Sequence, residues 1–256
     1  MGAVVTQCHL RPTTMHITSP SAPLSVGMVL FPGLTQLDLT GAYEVLARMP
    51  DTRVHLVAST LDPVRSEWGL TILPDATFGD APALDVLCVP GGWGVNGRLD
   101  DQALLDFLRA RADHARYITS VCSGAFLLGA AGLLRGYRAT TDWLSLDLLP
   151  LLGADPVRQR VVRDRNRITG AGVTAGIDFG LALAAELFGP ATAQRIQLAI
   201  EYAPAPPFDS GSPDTAPDDI RDALARDSHD ALDQRRALVQ AAARRLLEPG
   251  TTPWPT

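Results

Sequence analysis

The hydrophobic pattern of the chain alternates between short strand-like runs and longer stretches with helical spacing. The predicted strands are 26–31, 53–59, 85–89, 117–121 and, around a turn at 164–166, 161–169. Apolar residues at helical spacing predict helices over 37–49, 100–113, 123–134, 174–188, 191–202 and 220–247. Strands that alternate with helices in this way imply an α/β fold, with a largely parallel sheet covered by helices on both faces.

The ends of the chain differ from its middle. Residues 1–24 contain three prolines and no continuous apolar core, so we expect a disordered extension rather than a signal peptide. Residues 25–202 hold the predicted α/β domain. Residues 203–247 begin with a segment rich in Pro, Ser, Asp and Gly, followed by a charged amphipathic helix that we expect to pack on the domain or on a second subunit. Residues 248–256 form a short tail.

Composition excludes several classes of protein. The 256 residues are 46% hydrophobic and 20% charged, which suits a buried core and not a disordered chain. The net charge of −6 offers no attraction to nucleic acid, and no apolar run is long enough to cross a membrane. Three cysteines are too few for a disulfide scaffold, so we expect free thiols and a cytoplasmic protein.

The basic residues and short motifs narrow the chemistry further. All 22 basic residues are arginine, which excludes a Schiff-base lysine, a pyridoxal-phosphate anchor and a Walker A lysine. The three cysteines lack the spacing of metal ligands. We therefore expect neither a metal nor an organic cofactor.

Cys122 is the strongest candidate for a catalytic residue. It lies where the predicted strand 117–121 runs directly into a helix of small residues, an arrangement that resembles the nucleophile elbow of hydrolases with cysteine in place of serine. Such a turn exposes the side chain at the carboxyl edge of the sheet, and the start of the helix is expected to favour the thiolate. Cys88 lies inside an apolar strand and is expected to belong to the core, and Cys8 has no partner motif.

The residue that would move protons beside Cys122 is less clear from the pattern. None of the five histidines adjoins the elbow in sequence. Asp38 follows the first strand after a short loop, which brings it to the same edge of a parallel sheet as Cys122. Its position at the start of a helix is equally typical of an N-terminal cap, so the pattern leaves the capping and catalytic roles open.

A glycine-rich loop follows the third predicted strand. Gly91, Gly92 and Trp93 lie in the sequence Pro-Gly-Gly-Trp-Gly, and glycines allow backbone N–H groups to approach a reacting atom, as in an anion hole. A tight turn without catalytic function explains the same residues.

Together these motifs resemble a known group of enzymes. The segments QLDLTGAYEVL, DVLCVPGG and TSVCSGAFLLGAAGLL are similar to the class I glutamine-amidotransferase-like superfamily. The segments AGIDFGLALAAELFG and EYAPAPPFDSGSPDTAP are more specific, and they resemble the isonitrile hydratase branch. The similarity extends over residues 25–245.

This resemblance implies a flavodoxin-like, doubly wound fold, a homodimer, and the conversion of a small neutral isonitrile and water to an N-substituted formamide. It implies that Cys122 and Asp38 are catalytic, and that Ser123 acts with them in place of the threonine of the hydratase pattern. It also implies a substrate site that includes Gly91, Gly92, Trp93 and Asp142. Many relatives have histidine at the position of Asp142, so substrate choice or rate is expected to differ here.

Three other functions remain open at this point. Another cysteine-dependent enzyme of the superfamily, such as a hydrolase or a glyoxalase-like enzyme, would use the same elbow. An exposed cysteine beside a carboxylate also suits a redox sensor. A ligand-binding regulatory domain normally continues into a DNA-binding module, whereas this sequence ends after one predicted helix.

Overall fold

The computed structural model describes residues 23–248, so the predicted extension up to residue 22 and the tail from residue 249 lie outside the described part of the chain. The strands are β1 Leu24–Val29, β2 Thr52–Ala58, β3 Val64–Arg65, β4 Thr71–Ile72, β5 Ala76–Thr77, β6 Val86–Val89, β7 Tyr117–Val121, β8 Arg138–Ala139, β9 Asp155–Pro156, β10 Val161–Asp164 and β11 Arg167–Gly170. The α-helices are α1 Gln36–Leu46, α2 Gln102–Ala112, α3 Gly124–Ala130, α4 Ala175–Phe188, α5 Pro190–Ala199, α6 Asp218–Asp227 and α7 His229–Leu247.

A seven-stranded sheet forms the centre of the protein, with the order β10-β11-β7-β6-β1-β2-β5. Every neighbouring pair is parallel except the hairpin of β10 and β11. The parallel strands β2-β1-β6-β7-β11 follow the 2-1-3-4-5 order of flavodoxin-like folds. The predicted α/β, flavodoxin-like fold class is therefore confirmed.

The core explains why the central strands are so apolar. β6 is buried at all four of its residues, and β1 is buried at five of its six. Strands that are covered by helices on both faces need apolar side chains in both directions, which removes the usual alternation. The helices pack in two groups, with α4 between α1 and α5 in one, and α3 beside α2 and α7 in the other.

The C-terminal helix differs from its prediction. The single helix expected over 220–247 is two helices, α6 and α7, separated at Ser228. Only α7 has buried residues, and it packs on α3 and on a 3-10 helix at Leu146–Leu152. Because no residue of α6 is fully buried, packing fixes its direction relative to α7 only weakly, and serine is a weak helix former at the junction.

The direction of the sheet brings several loops together. The loops after β1, β6 and β7 all leave from the carboxyl ends of neighbouring parallel strands. The strand order reverses between β1 and β6, and ligands of open α/β sheets bind outside the carboxyl ends at such a switch point. A second 3-10 helix, Trp93–Arg98, follows the glycine-rich loop here. Within residues 23–248, no helix is long and apolar enough to cross a membrane.

Candidate active site

Cys122 occupies the elbow that the sequence predicts. Its φ angle is +54°, in the left-handed region that costs energy for any residue except glycine. Two hydrogen bonds hold this backbone in place: Cys122 N–H donates to the Gly170 carbonyl at 3.0 Å, and the Thr141 hydroxyl donates to the Cys122 carbonyl at 2.8 Å. Positive φ at the residue between a strand and a helix is the geometry of a nucleophile elbow.

The elbow requires the helix to start very close to the neighbouring strand. A Cβ atom added to Gly124, the first residue of α3, would collide with the Val89 carbonyl oxygen and lie 2.7 Å from that of Pro90. Only glycine fits between α3 and the end of β6. Gly124, the small residue two positions after Cys122, therefore has a packing function.

Asp38 lies at the same edge of the sheet and is fully buried. Its Oδ2 atom accepts a hydrogen bond from Gly91 N–H at 2.8 Å, so the carboxyl group contacts the glycine-rich loop. It does not cap its own helix: Thr35 is the N-cap residue of α1, and no side chain accepts a capping hydrogen bond there. Of the two roles that the sequence leaves open for Asp38, the structure excludes the cap.

The environment of Asp38 favours its neutral form. Burial raises its pKa from 3.8 to about 8, against the hydrogen bond from Gly91 that lowers the pKa, and the charges of Glu67 and Asp142 raise the pKa further. The Cys122 thiol is close enough to lower the pKa of Asp38 as a hydrogen-bond donor. No hydrogen bond of standard geometry joins the two groups, however, and Asp38 Oδ1 has no partner among the described residues.

The pKa of the Cys122 thiol differs from what its position at the start of a helix predicts. Burial raises its pKa well above the ordinary value, and the negative charges of Asp38 and Asp142 raise it further. Ser123 N–H and the charge of Arg235 act in the opposite direction but do not reverse the shift. The helix start thus lowers the pKa of Cys122 through Ser123 N–H, but desolvation outweighs this effect, so the expectation that the thiolate is favoured is wrong.

The glycine-rich loop does not form the anion hole that its sequence suggests. Gly91 N–H donates to Asp38 Oδ2, and Gly92 N–H donates to Ser123 Oγ at 2.9 Å. Trp93 N–H donates to Glu67 Oε2 at 3.2 Å. Because all three donors already have side-chain acceptors, Gly91 and Gly92 hold the site together rather than offer free N–H groups.

Ser123 lies directly after the nucleophile and is buried. Its hydroxyl accepts the hydrogen bond from Gly92 N–H and donates one to the Gly92 carbonyl at 3.1 Å. It makes no side-chain cap at the start of α3. The hydroxyl thus connects the elbow to the glycine-rich loop.

Asp142 and Trp93 lie at the rim of the same site. The Asp142 carboxylate is 3.5 Å from Arg235 Nη1, and its Oδ2 atom lies 3.3 Å from Thr141 Oγ1. The Trp93 side chain is 42% exposed, and the Arg235 guanidinium lies 4.6 Å from the centre of its ring. The structure therefore brings together all seven residues predicted for the site.

Other candidates for chemistry do not lie at this site. None of the described histidines is among the groups that shift the pKa values of Asp38 and Cys122 most. Cys88 is a core residue, as predicted, and burial raises its pKa to about 12. Between residues 23 and 248, no cluster of three or more His, Cys, Asp or Glu side chains could hold a metal ion.

Comparison with known proteins identifies the family to which this chain belongs. The model of the DJ-1/PfpI family matches residues 24–186. This chain belongs to the DJ-1/PfpI family. That result confirms the resemblance to class I glutamine-amidotransferase-like proteins.

Three relatives show how far the similarity extends. The chain is 57% identical over 223 residues to the isonitrile hydratase of Pseudomonas putida, covering 87% of this chain and 98% of that protein. It is 44% identical to a THiJ/PfpI family protein from Pseudomonas syringae of known crystal structure, with a TM-score of 0.83, covering 90% of this chain and 99% of that one. It is also 34% identical over 172 residues to the transcriptional regulator GbdR of Pseudomonas aeruginosa, but spans only 46% of that protein.

Three residues of this DJ-1/PfpI site were not predicted from the sequence. Thr141 supports the strained backbone of Cys122, and Glu67 accepts hydrogen bonds from Trp93 N–H and the Thr35 hydroxyl. Arg235 comes from α7, more than 90 residues away from Asp142. A sequence signal exists for Arg235 alone, since it shares one face of α7 with the buried residues Val239 and Ala242, where an apolar side chain is expected.

Proposed function

We propose that this DJ-1/PfpI protein is an isonitrile hydratase, which adds water to an isonitrile to give an N-substituted formamide. The observation that carries the reaction is the 57% identity with the Pseudomonas putida isonitrile hydratase over nearly the whole of that enzyme. The site supports the same chemistry, because it combines a cysteine at an elbow with a carboxyl group whose pKa is about 8. Such a carboxyl group holds a proton at neutral pH and can release it.

The first chemical step joins the substrate to Cys122. Asp38 in its acid form donates its proton to the terminal carbon of the isonitrile, which makes that carbon electrophilic. The Cys122 sulfur forms a bond to the same carbon, and the thiol proton passes to the Asp38 carboxylate. The product is a thioimidate, R–N=CH–S–Cys122, and Asp38 is again protonated. A thiol with a raised pKa suits this route, because proton donation to the substrate precedes any need for a free thiolate.

The second step adds water to the thioimidate. Asp38 donates its proton to the imine nitrogen, and its carboxylate then accepts a proton from water as the water oxygen attacks the carbon. The resulting R–NH–CH(OH)–S–Cys122 breaks at its carbon–sulfur bond, and the hydroxyl proton returns to the sulfur. The formamide R–NH–CHO leaves, so that one isonitrile and one water give one product. In this scheme Asp38 acts first as acid and then as base.

The other residues of the site position these groups. We propose that Gly91 orients the Asp38 carboxyl group through its N–H, and that Ser123 fixes the loop through Gly92. The exposed face of the Trp93 indole is the best candidate to contact the organic group of the isonitrile. Asp142 acts as a neighbouring charge at the rim, where many relatives carry histidine. A neutral substrate suits a site in which Glu67 and Asp142 bear negative charge, since an anion would be repelled.

Two rival functions fit the site less well. A redox-sensing cysteine needs an accessible thiol of low pKa, whereas Cys122 is 8% exposed and its pKa is raised. A regulatory ligand-binding domain is favoured by the matches to transcriptional regulators such as GbdR, but these have lower identity and cover a smaller share of this chain than the hydratase does. Another enzyme activity of the superfamily would use the same residues, so the substrate assay described below is needed to separate it from isonitrile hydration.

The test is formamide formation from a panel of alkyl and aryl isonitriles in water enriched in ¹⁸O. We expect the formyl oxygen to carry the label, and Cys122→Ala to give no formamide. Cys88→Ala is the matched control, because it removes a buried thiol at the neighbouring strand and should lower the melting temperature with little effect on turnover. Formamide production by Cys122→Ala at the parent rate, or hydrolysis of esters or conversion of methylglyoxal and water to lactate without any isonitrile turnover, would exclude the proposal.

We further propose that the enzyme is a cytoplasmic homodimer. Large apolar side chains are exposed on the β3–β4 hairpin at Trp68 and Leu70, and on α6 at Ile220 and Leu224. A ten-residue helix without buried residues is marginal by itself, which favours a second subunit that covers it. The free thiols Cys88 and Cys122 suit a reducing compartment. Light scattering at micromolar concentration tests the dimer, and a monomer would contradict it.

A further inference from the structure

We propose that Arg235 is a positioning residue of this site, where its buried guanidinium orients the Asp142 carboxylate and the Trp93 indole and provides the positive charge that balances the acidic groups around Cys122. This inference rests on the proposed function only in taking Cys122 as the nucleophile. It makes the C-terminal helix α7 a part of the active site.

The contacts of Arg235 are those of a fixed side chain. It is only 3% exposed. Its Nε donates to Asn96 Oδ1 at 2.9 Å, and its Nη1 donates to Ser145 Oγ at 2.8 Å while facing Asp142 Oδ2 at 3.5 Å. Two neutral partners in well-formed hydrogen bonds thus set the plane of the guanidinium, and Asp142 lies beside it.

The Arg235 guanidinium also packs against two aromatic rings. The guanidinium carbon lies 4.6 Å from the centre of the Trp93 ring and 5.7 Å from that of Phe126, within the range of cation–π attraction. Phe126 belongs to α3, the helix that starts at the elbow. Arg235 therefore connects α7 to the elbow helix, to the rim residue Trp93 and to Asp142, which are far apart in the sequence.

A charge argument explains why an arginine is buried at this place. A buried cation is costly unless opposite charges compensate it, and burial indeed lowers the pKa of Arg235. Asp142, Cys122 and Glu67 act in the opposite direction and stabilise its charged form. Without Arg235, a thiolate at Cys122 would keep the hydrogen bond from Ser123 N–H but would face Asp38 and Asp142, which disfavour it.

The protein contains a matched control for this arrangement on its surface. Arg236, the next residue of α7, forms an ion pair with Asp147 at 2.6 Å. That pair connects α7 to the 3-10 helix 146–152, next to the contact of Arg235 with Ser145, but both of its side chains are exposed. Substitutions of Arg236 and Asp147 thus remove one positive charge from α7 and one negative charge a few residues after Asp142, without reaching the site.

The experiment measures how fast iodoacetamide alkylates Cys122 at pH 8.5 in the full chain, with peptide mapping by mass spectrometry to separate Cys122 from Cys8 and Cys88. The alkylation rate follows the thiolate fraction, which changes tenfold for each pKa unit. We expect Arg235→Gln to be alkylated at least about fivefold more slowly than the parent, and Asp142→Asn several times faster. The double variant Arg235→Gln/Asp142→Asn should return to within about twofold of the parent, because both charges are then absent.

Recovery in the double variant separates charge balance from mere structural support, since removing a second polar group cannot repair lost packing. Arg236→Gln and Asp147→Asn should leave the rate unchanged. An Arg235→Gln protein alkylated as fast as the parent, or a double variant no faster than Arg235→Gln, would overturn the proposal. Should Arg235→Gln not fold, Asp142→Asn decides alone: a rate equal to that of Asp147→Asn overturns it. No isonitrile is present, so a failure of formamide formation is a separate result.

Discussion

Ser123 and Gly92 are joined by two hydrogen bonds in opposite directions: Gly92 N–H donates to Ser123 Oγ at 2.9 Å, and the same oxygen donates to the Gly92 carbonyl at 3.1 Å. A single hydroxyl thereby bonds both backbone groups of a buried glycine, whose carbonyl also accepts a hydrogen bond from Val95 N–H at 3.2 Å. The residue after the nucleophile is thus attached to the loop whose preceding residue, Gly91, holds Asp38.

This relationship predicts a combined effect of replacing Ser123. Ser123→Ala leaves the buried N–H of Gly92 without a partner, whereas the Gly92 carbonyl keeps its hydrogen bond from Val95 N–H, so we expect a loss of about 1–3 kcal/mol in the free energy of unfolding. Turnover should fall as well, because the loop that orients Asp38 is no longer fixed. Ser123→Thr retains the hydroxyl and should stay active. Thermal unfolding and formamide assays on both variants check this, and an unchanged melting temperature in Ser123→Ala would contradict the structural role.

The raised pKa of Asp38 predicts how the stability and the rate of this protein depend on pH. Its carboxyl group loses a proton near pH 4 when the chain is unfolded, but only near pH 8 when the chain is folded. The folded protein therefore binds more protons between these values, and its stability should fall as the pH rises from about 4 to about 8. The rate should fall above about pH 8, where Asp38 is no longer an acid.

Asp38→Asn tests both parts of this prediction. Asparagine still accepts the hydrogen bond from Gly91 but does not titrate, so urea unfolding at pH 5 and pH 8 should show a smaller difference in stability than in the parent. Turnover should be lost. Asp147→Asn, at an exposed position, should behave like the parent. A pH dependence of stability identical in Asp38→Asn and the parent would show that Asp38 titrates normally.

The space around Gly91 is too small for a side chain, so replacing this glycine should disturb the site. A Cβ atom at this position would lie 2.6 Å from Ser123 N and 2.8 Å from both Asp38 Oδ2 and Ser123 Oγ, so one of these groups must move. We expect Gly91→Ala to lower the free energy of unfolding by about 1–3 kcal/mol and turnover by about a hundredfold. Gly97→Ala is the control in the same segment, since no atom lies within 4 Å of its added Cβ. Equal activity of the two variants would refute the prediction.

The hydrogen bond from Thr141 to the Cys122 carbonyl is expected to support the elbow, and substitutions of Thr141 can test it. Thr141→Val keeps the shape of the side chain but removes the hydrogen bond to the Cys122 carbonyl, which supports a backbone with positive φ. We expect a loss of about 1 kcal/mol in stability and a tenfold or greater fall in turnover. Thr141→Ser keeps the hydroxyl and should retain most of the activity. Unfolding and formamide assays on both variants measure how much the hydrogen bond to the Cys122 carbonyl contributes to stability and to turnover. Parental activity in Thr141→Val would contradict a role of this hydrogen bond in catalysis.

The sequence by itself determined the fold class, the elbow and the edge of the sheet at which Asp38 and Cys122 meet. These features follow from local rules: apolar runs predict buried strands, and parallel strands bring their carboxyl ends to one edge. The sequence also determined that Cys88 is a core residue, because its whole strand is apolar.

Only the tertiary structure decided how the site is charged and connected. The sequence could not show that burial raises the pKa values of Asp38 and Cys122, because desolvation depends on every element packed around them. It could not show that the N–H groups of Gly91 and Gly92 already have acceptors, since those acceptors lie on α1 and at the elbow. Arg235 reaches Asp142 only because α7 folds back onto the domain, and no local pattern encodes a contact between residues so far apart in the chain.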